Sequence, residues 1–288
     1  MLNNSGEILA LINLIEDPDE EVYNSITNRF VGYGKTILPV LKEQLDFTSD
    51  PMILKRIEDI VFKVSLSLLT DSLQHWKEST SGSLQEASIL ISNFIEPKIE
   101  NEEVLFEIEK MKKSIWLEIN DYLTPLEEII IVNKILYTYY KIKGVETKFK
   151  SSVEFDFCDL LIKKTGNGFP LGALYLILCD MLNISVKPIG IPQQNLLAYY
   201  VQEDYLTDKN ETVLFFIDPI NGHVYTHQDI ETYLKKINHP HDTSILKPLS
   251  EEDYINKWIV GLAKCEKERG EKNRYNELLQ LAEKFQEN

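Results

Sequence analysis

The sequence predicts an α+β fold that is mostly helical and contains one small antiparallel sheet. The first observation is a glycine-containing turn at residues 166–168, followed by Phe169 and Pro170. Glycine allows a tight turn and proline suits the first turn of a helix, so a helix is predicted to begin near Phe169. Apolar residues then fill almost every position to Leu182, as is typical of a helix enclosed on most sides. The second observation is a set of three short β-rich runs at residues 186–191, 196–201 and 212–217.

Composition and charge narrow the classes of function. A chain of 288 residues exceeds a typical single domain, so two units, or one core with a helical extension, are expected. Its 46 acidic and 30 basic residues give a net charge of −16, which repels nucleic acid and anionic membranes. No apolar run reaches the ~18 residues that span a bilayer, and the first residues lack the basic region of a secretory signal. We expect a soluble, cytoplasmic protein; the sequence predicts no particular oligomeric state.

The first part of the chain, residues 8–66, has apolar residues at helical spacing between short turns. Asp17 is the predicted N-cap of a helix that has Pro18 at its first position, and Gly32 and Gly34 are predicted to end it. An Asp17-Pro18-Asp19 turn before an apolar helix resembles the turn of HEAT repeats. Such repeats stack helix pairs and commonly offer a surface to a partner.

The helical pattern continues through the middle of the chain. Thr124, Pro125 and Glu127 together form a strong helix start, because they combine an N-cap, a first-position proline and the third-position glutamate of a capping box. This helix is predicted to run to Lys143. Gly144 is predicted to end it as a left-handed C-cap.

The strand pattern is clearest at residues 213–217, where the apolar run is continuous rather than alternating. Such a run predicts a strand that is buried on both faces. Asp218 closes the strand before a proline, and Asn221 with Gly222 forms a hairpin-type turn. Residues 226–237 are predicted to form a surface helix.

The end of the chain predicts a helical hairpin. Ser250 is followed by three acidic residues that suit the positive end of a helix, and Gly270 is predicted to end that helix. The predicted apolar stripe comprises Tyr254, Trp258, Leu262 and Cys265. The hairpin looks like half of a tetratricopeptide array and should pack against the main body. The chain is therefore divided into a HEAT-like region, a core and a tetratricopeptide-like hairpin, at residues 1–123, 124–248 and 249–288.

Four motifs occur in a fixed order in residues 125–236, and together they resemble a known family. The motifs are Gly166-Asn167-Gly168-Phe169-Pro170-Leu171-Gly172, Leu182-Asn183-Ile184-Ser185-Val186, Pro192-Gln193-Gln194 before Leu196-Leu197-Ala198-Tyr199, and Phe216-Ile217-Asp218-Pro219. This order is similar to that of the SirB-type transglutaminase-like family, a branch of the papain-like superfamily of thiol enzymes. The resemblance implies a bacterial protein with a central helix packed on an antiparallel sheet.

The resemblance also implies where a catalytic triad would lie. In active members, a cysteine at the helix start attacks an acyl group, a histidine on a following strand takes its proton, and an aspartate on the next strand orients the imidazole. The matching places hold Phe169-Pro170, Gln194 or Asn195, and Asp218, so only the aspartate is present. The predicted degenerate site comprises Gly168, Phe169, Pro170, Gln194, Asn195 and Asp218.

Loss of these groups predicts a protein without catalysis. Neither Phe169 nor Pro170 supplies a nucleophile, and a side-chain amide cannot accept a proton near neutral pH as imidazole does. We expect no cofactor, and we expect a binding or regulatory protein that holds a protein or peptide partner on its helical surface or in the former cleft. A scaffold without any functional cleft is a further hypothesis.

The alternative is a thiol-dependent acyl transferase or peptidase that uses Cys158 or a rearranged site. Acidic neighbours of Cys158 are expected to raise its pKa, and Cys179 lies ~13 Å along the helix from its amino end, so both are interpreted as packing residues. A metal site is also considered, but its candidates lack the usual ligand spacing and are interpreted as surface residues. These candidates are His223, His227, Asp229, His239 and His241.

Overall fold

A computed structural model describes residues 5–79, 82–97, 102–202, 211–239 and 243–287. Helices dominate these residues and accompany a small antiparallel sheet and a C-terminal helical hairpin, which confirms the predicted α+β class. The chain forms two compact units, Met1–His75 and Trp76–Asn288. The three-part division drawn from the sequence stays a prediction. No helix in the described ranges is both long and apolar enough to cross a membrane.

The first unit is built from consecutive helices. They are α1 (Ser5–Asn13), α2 (Glu20–Tyr33), α3 (Leu38–Phe47) and the greater part of α4 (Pro51–Glu78). Their apolar faces enclose one core, in which Phe30, Leu41 and Ile60 are fully buried. Asp50 Oδ1 accepts a hydrogen bond from the N–H of Met52 at 2.8 Å and so caps the start of α4.

The predicted N-cap of α2 is wrong by two residues. Asp19 caps the helix, because its Oδ1 accepts a hydrogen bond from the N–H of Glu21 at 2.8 Å. Asp17 Oδ1 instead accepts from the N–H of Asp19 at 2.9 Å and forms a turn before the helix. A proline disfavours helical backbone angles in the residue before it. Asp17, which precedes Pro18, is accordingly extended, with φ −61° and ψ 127°. The helix therefore begins only after Pro18.

The second unit holds the remaining helices and all the strands of the described residues. Its helices are α5 (Leu84–Ile95), α6 (Glu102–Trp116), α7 (Pro125–Asn133), α8 (Phe157–Lys163), α9 (Gly168–Met181), α10 (His227–Lys236), α11 (Glu251–Glu268) and α12 (Lys272–Glu287). Its strands are β1 (Lys143–Gly144), β2 (Thr165–Gly166), β3 (Val186–Pro188), β4 (Leu197–Gln202), β5 (Glu211–Asp218) and β6 (His223–Tyr225).

The main sheet is antiparallel, with strand order β3-β4-β5-β6. The three β-rich runs in the sequence correspond to β3, β4 and β5, whereas β6 was not predicted. A bulge interrupts the β4–β5 pairing between Tyr199 and Tyr200. The prediction that residues 213–217 are buried on both faces is wrong at Leu214, which is 45% exposed, so one face of β5 reaches solvent there. A second, two-stranded ladder pairs β1 with β2 in parallel.

Helix α7 begins as predicted but does not end as predicted. Thr124 and Glu127 form the full capping box. The helix then widens into a π-helix over Lys134–Tyr139, instead of running regularly to residue 143. Gly144 belongs to β1 and is not a C-cap, and a Cβ at this position would lie 2.0 Å from the carbonyl oxygen of Ile220. Glycine is therefore required at 144 by close backbone packing.

Helix α9 is enclosed by the rest of the unit, as the sequence predicts. Every residue from Gly168 to Cys179 is buried. The helix packs against α5, α6, α8 and β3. Helix α11 presents the predicted apolar stripe to this body, since Tyr254, Trp258, Leu262 and Cys265 are all at most 2% exposed. Its start is fixed by a complete capping box between Ser250 and Asp253.

The close approach at Gly144 gives a direct test of the packing. Gly144→Ala should lower the free energy of unfolding by about 1–3 kcal/mol, because the added methyl group meets the backbone of Ile220, which cannot move cheaply. Gly190→Ala is the matched control, since its Cβ would meet only Leu249 at an ordinary 3.5 Å. Denaturant unfolding of both variants measures the difference. Equal stability of the two variants would contradict the packing described here.

Candidate functional site

A cavity of about 530 Å³ lies at the amino end of α9. The structure brings five of the six residues of the predicted degenerate site to its wall; they are Gly168, Phe169, Gln194, Asn195 and Asp218. The sixth, Pro170, does not line the cavity. It is buried and packs towards Gly166 instead.

The local sequence sets the start of α9. Asn167 is the N-cap, and its Oδ1 accepts a hydrogen bond from the N–H of Phe169 at 3.0 Å. The helix begins at Gly168, one residue earlier than predicted. Pro170 lies within the first turn, where its missing N–H leaves no intrahelical bond unmade.

The ring of Phe169 packs into the protein at the place where the resemblance implies a nucleophile. It stacks on Phe155 with centroids 5.3 Å apart and on Trp258 with centroids 6.3 Å apart, and it is 8% exposed. Gly261 of α11 makes room for this stack. A Cβ on Gly261 would lie 2.9 Å from Phe155 and 3.1 Å from Phe169. The amino end of α9 therefore presents an inert ring and backbone to the cavity.

Two side chains from distant segments hold the first turn of α9. The Tyr254 hydroxyl donates to the carbonyl oxygen of Phe169 at 2.7 Å, and Asn195 Nδ2 donates to the carbonyl oxygen of Gly168 at 2.6 Å. Asn195 Nδ2 also lies 3.4 Å from the Tyr254 hydroxyl. Asn195, one of the two amides at the place where the resemblance implies a histidine, is thus a hydrogen-bond donor that fixes the helix. We call these contacts the α9 latch.

Asp218 and Gln194 form local contacts at the cavity. Asp218 ends β5, and its Oδ1 accepts from the N–H of Ile220 at 2.9 Å while its carbonyl oxygen accepts from the N–H of Gly222 at 2.8 Å. Burial raises the pKa of the Asp218 carboxyl against the opposing effect of the Ile220 hydrogen bond. Gln194 Nε2 lies 3.3 Å from the hydroxyl of Tyr233. Asp218 thus forms the turn that the sequence indicates.

Helix α11 supplies a wall of the cavity that sequence reasoning missed. Asn256, Lys257 and Lys264 all line it. Asn256 is 8% exposed, and its Oδ1 has no hydrogen-bond partner among the described residues. Burial, together with repulsion from Lys264, lowers the pKa of Lys257 to about 8. The signal in the sequence was Gly261 in mid-helix, beside polar residues that lie outside the apolar stripe.

The three cysteines are buried. The Cys158 side chain is fully enclosed, and its backbone N–H donates to Ser92 Oγ at 3.1 Å. Burial raises the pKa of Cys179, and it raises the pKa of Cys265 to about 12. A high pKa keeps a thiol protonated and unreactive.

His223 and His227 make local contacts. His223 packs edge-on against Tyr225, with centroids 4.6 Å apart, and His227 Nε2 lies 2.9 Å from the carbonyl oxygen of Val213. Asp229 completes the capping box of α10. Over the described ranges, no group of three or more His, Cys, Asp or Glu side chains is arranged to hold a metal ion. His241 lies outside those ranges.

Comparison with known proteins adds a family and one relative. The pattern of the transglutaminase-like superfamily matches residues 102–260, which is more than half of the chain. The UPF0162 protein BU173 of Buchnera aphidicola subsp. Acyrthosiphon pisum (strain APS) is 24% identical over 153 residues, which cover 53% of this chain and 54% of the relative. The chain thus spans about half the length of that relative. No solved structure matches the chain.

The α9 latch can be tested by removing one oxygen atom. Tyr254→Phe should lower the free energy of unfolding by about 1–2 kcal/mol, because a buried hydrogen bond to the Phe169 carbonyl is lost. Tyr122→Phe is the control, since Tyr122 is 95% exposed and should tolerate the same change. Denaturant unfolding gives both values. A Tyr254→Phe variant as stable as the control would show that the Tyr254 hydrogen bond contributes nothing to the stability of the fold.

The half-buried amine of Lys257 predicts a pH-dependent stability of the fold. Its pKa in the folded protein is about 8, against an ordinary 10.5, so folding is penalised while the amine is charged. Lys257→Met should therefore be more stable than the native protein by up to about 3 kcal/mol below pH 8, and this advantage should disappear as the pH rises towards 10.5. Unfolding curves across this pH range measure it. Lys236→Met, on the exposed surface of α10, should show no such trend; a pH-independent difference for Lys257→Met would contradict the prediction.

Proposed function

The chain belongs to the transglutaminase-like superfamily, and we propose that it acts there as a non-catalytic protein that binds a segment of a partner protein in the cavity at the amino end of α9. The observation that carries this proposal is the packing of Phe169. Its ring is held between Phe155 and Trp258, where a thiol enzyme requires an exposed, ionisable sulfur.

The groups around this ring support the same conclusion. A general base must lie within hydrogen-bond reach of a nucleophile and must accept its proton. Asn195 cannot serve as this base, because a side-chain amide does not take up a proton near neutral pH, and its Nδ2 donates to the carbonyl oxygen of Gly168. Asp218 is committed to the turn after β5 through its bond from Ile220. The triad is thus replaced by groups that fix the backbone and leave the cavity in place.

The cavity itself supports binding. Its volume of about 530 Å³ falls within the ~300–1,000 Å³ of ordinary ligand sites. Its walls combine apolar groups with side-chain amides, which can pair with the N–H and C=O groups of an extended peptide. Asn256 Oδ1 is a buried acceptor without a partner in the described structure, and such an acceptor is satisfied when a ligand brings a donor.

The proposal also includes the branch of the superfamily, the cellular location and a further surface for a partner. The order of the motifs around residues 166–172, 192–199 and 216–219 supports the SirB-type branch of the superfamily. The net charge of −16 supports a cytoplasmic protein that avoids nucleic acid and anionic membranes. Helices α1 to α4, with their HEAT-like turn, are an alternative surface for a protein partner.

A thiol enzyme that uses Cys158 would contradict this proposal. The Cys158 side chain is fully buried on α8, so the sulfur would have to become exposed before it could attack a substrate. Iodoacetamide would inactivate such an enzyme, and the enzyme would change the mass of its substrate. A binding protein with buried cysteines would keep its binding after iodoacetamide treatment and would leave the mass of its ligand unchanged.

The test is to incubate the full chain with a randomised library of N-acetylated tetrapeptide amides and to identify the retained peptides by mass spectrometry. We expect a subset of peptides to be retained with unchanged mass, and we expect iodoacetamide to leave retention unaffected, because all three cysteines are buried. Val260→Trp should abolish retention, since Val260 lines the cavity and the indole would fill it.

The matched control is Glu268→Trp, which adds the same ring at an exposed position of the same helix. It should leave retention unchanged. Cleaved or covalently bound peptides would overturn the non-catalytic proposal. Retention that Val260→Trp does not affect would place binding elsewhere and would overturn the assignment to the cavity.

A further inference from the structure

Lys257 is a cation held in a place that penalises charge. It is half-buried, and its only hydrogen bond in the described structure is a long one, 3.4 Å from Nζ to the carbonyl oxygen of Gln194. No carboxylate of the described residues lies within ion-pair distance of Nζ. A buried charge without an opposite partner destabilises the fold. An anionic ligand would supply the missing partner.

Lys264 places a second positive charge on the same wall. It lies seven residues after Lys257 on α11, which is two helical turns and ~10.5 Å along the axis. Its Nζ lies 5.3 Å from the ring centroid of Phe149, and that ring also lines the cavity. A cation over an aromatic face is held in position without being neutralised. Both charges therefore border the cavity.

The carboxylates around the cavity already have partners. Asp253 Oδ2 accepts from the Ser250 hydroxyl at 2.8 Å, and Asp218 Oδ1 accepts from the backbone of Ile220. Glu146 lies 3.6 Å from Lys148 at the exposed rim. None of these groups pairs with Lys257. An incoming carboxylate therefore meets lysines whose charge is not compensated at the contact.

Asn256 distinguishes a peptide from a simple carboxylate. Its Oδ1 is an acceptor that needs an N–H or O–H donor, and a carboxylate has none to offer. A peptide N–H satisfies it. Because Asn256 and Lys257 both line the cavity, a single ligand residue that carries both a backbone N–H and a carboxylate can contact both side chains.

These contacts define the ligand chemistry. We infer that the cavity recognises an acidic residue of an extended peptide, with its carboxylate on Lys257 and Lys264 and its backbone N–H on Asn256. The inference rests on the proposed function and names the class of segment that is bound. The carboxylate comes either from an Asp or Glu side chain or from the C-terminus of the partner. The net charge of −16 acts mainly on the encounter, since charges beyond ~8–10 Å are screened at physiological salt.

The test uses two tetrapeptide libraries, both N-acetylated, one with amide and one with free-acid C-termini. With the native chain, Asp and Glu should be enriched roughly tenfold among retained amide peptides, as expected for one charge-assisted contact. If the partner's C-terminus is the source, the free-acid library should be retained roughly tenfold more strongly than the amide library instead. Either result supports the inference and identifies the carboxylate.

The variants separate the roles of the three side chains. Lys257→Met with Lys264→Met should reduce the acidic preference to the input frequency while neutral peptides are still retained. Lys264→Met alone, at an exposed position, should reduce the preference at least threefold and serves as the test if the double variant does not fold. Asn256→Leu should weaken retention of all peptides roughly tenfold without changing the preference. Lys267→Met, at an exposed position of the same helix, is the control and should change nothing.

Three outcomes would contradict the inference or the proposed function, and they are distinguishable. The native chain could retain peptides that Val260→Trp does not retain, with no acidic preference in either library. That result would overturn this inference and leave the proposed function standing. An acidic preference that survives both lysine substitutions would also overturn it. Loss of all retention by the native chain would overturn the proposed function itself.

Discussion

The amino end of α9 is the constraint on which the rest of this unit depends. A helix buried on all sides needs partners around its first turn, and here they come from three separate segments. Asn195 lies just before β4, Tyr254 lies on α11, and Phe155 lies just before α8. The first two donate hydrogen bonds to the first turn of α9, and the ring of Phe155 stacks on Phe169. These segments can meet only if α11 packs across the end of the helix. Helix α11 of the C-terminal hairpin therefore contributes directly to the packing around α9.

Features that depend on neighbouring residues could be predicted from the sequence. The capping box at Thr124, the start of α9 within one residue, and the turn after Asp218 are set by short-range chemistry. The π-helix after α7 and the strand position of Gly144 could not be predicted, because distant segments determine them. Tyr137 of the π-helix donates to the carbonyl oxygen of Pro219 at 2.7 Å, across 82 residues.

The candidate site shows the same division. Its residues near α9 and β5 were found because a family pattern marks them, whereas Asn256 and Lys257 lie on the other side of the hairpin boundary drawn from the sequence. Their side chains depart from the usual pattern in which charged groups are exposed and buried polar groups are paired. A charge is held partly buried, and a buried amide oxygen has no partner in the described structure. Such departures concentrate at functional sites, where they are tolerated at some expense to stability.

The π-helix at Lys134–Tyr139 has a consequence for comparing this chain with its relatives. A π-turn closes its hydrogen-bonded ring over one more residue than an α-turn, so it accommodates a single inserted amino acid without ending the helix. An alignment to a relative whose helix is regular throughout then needs a one-residue gap within this segment. Positions before and after it must be matched independently, and an ungapped alignment would assign the neighbouring residue's role to every position on one side.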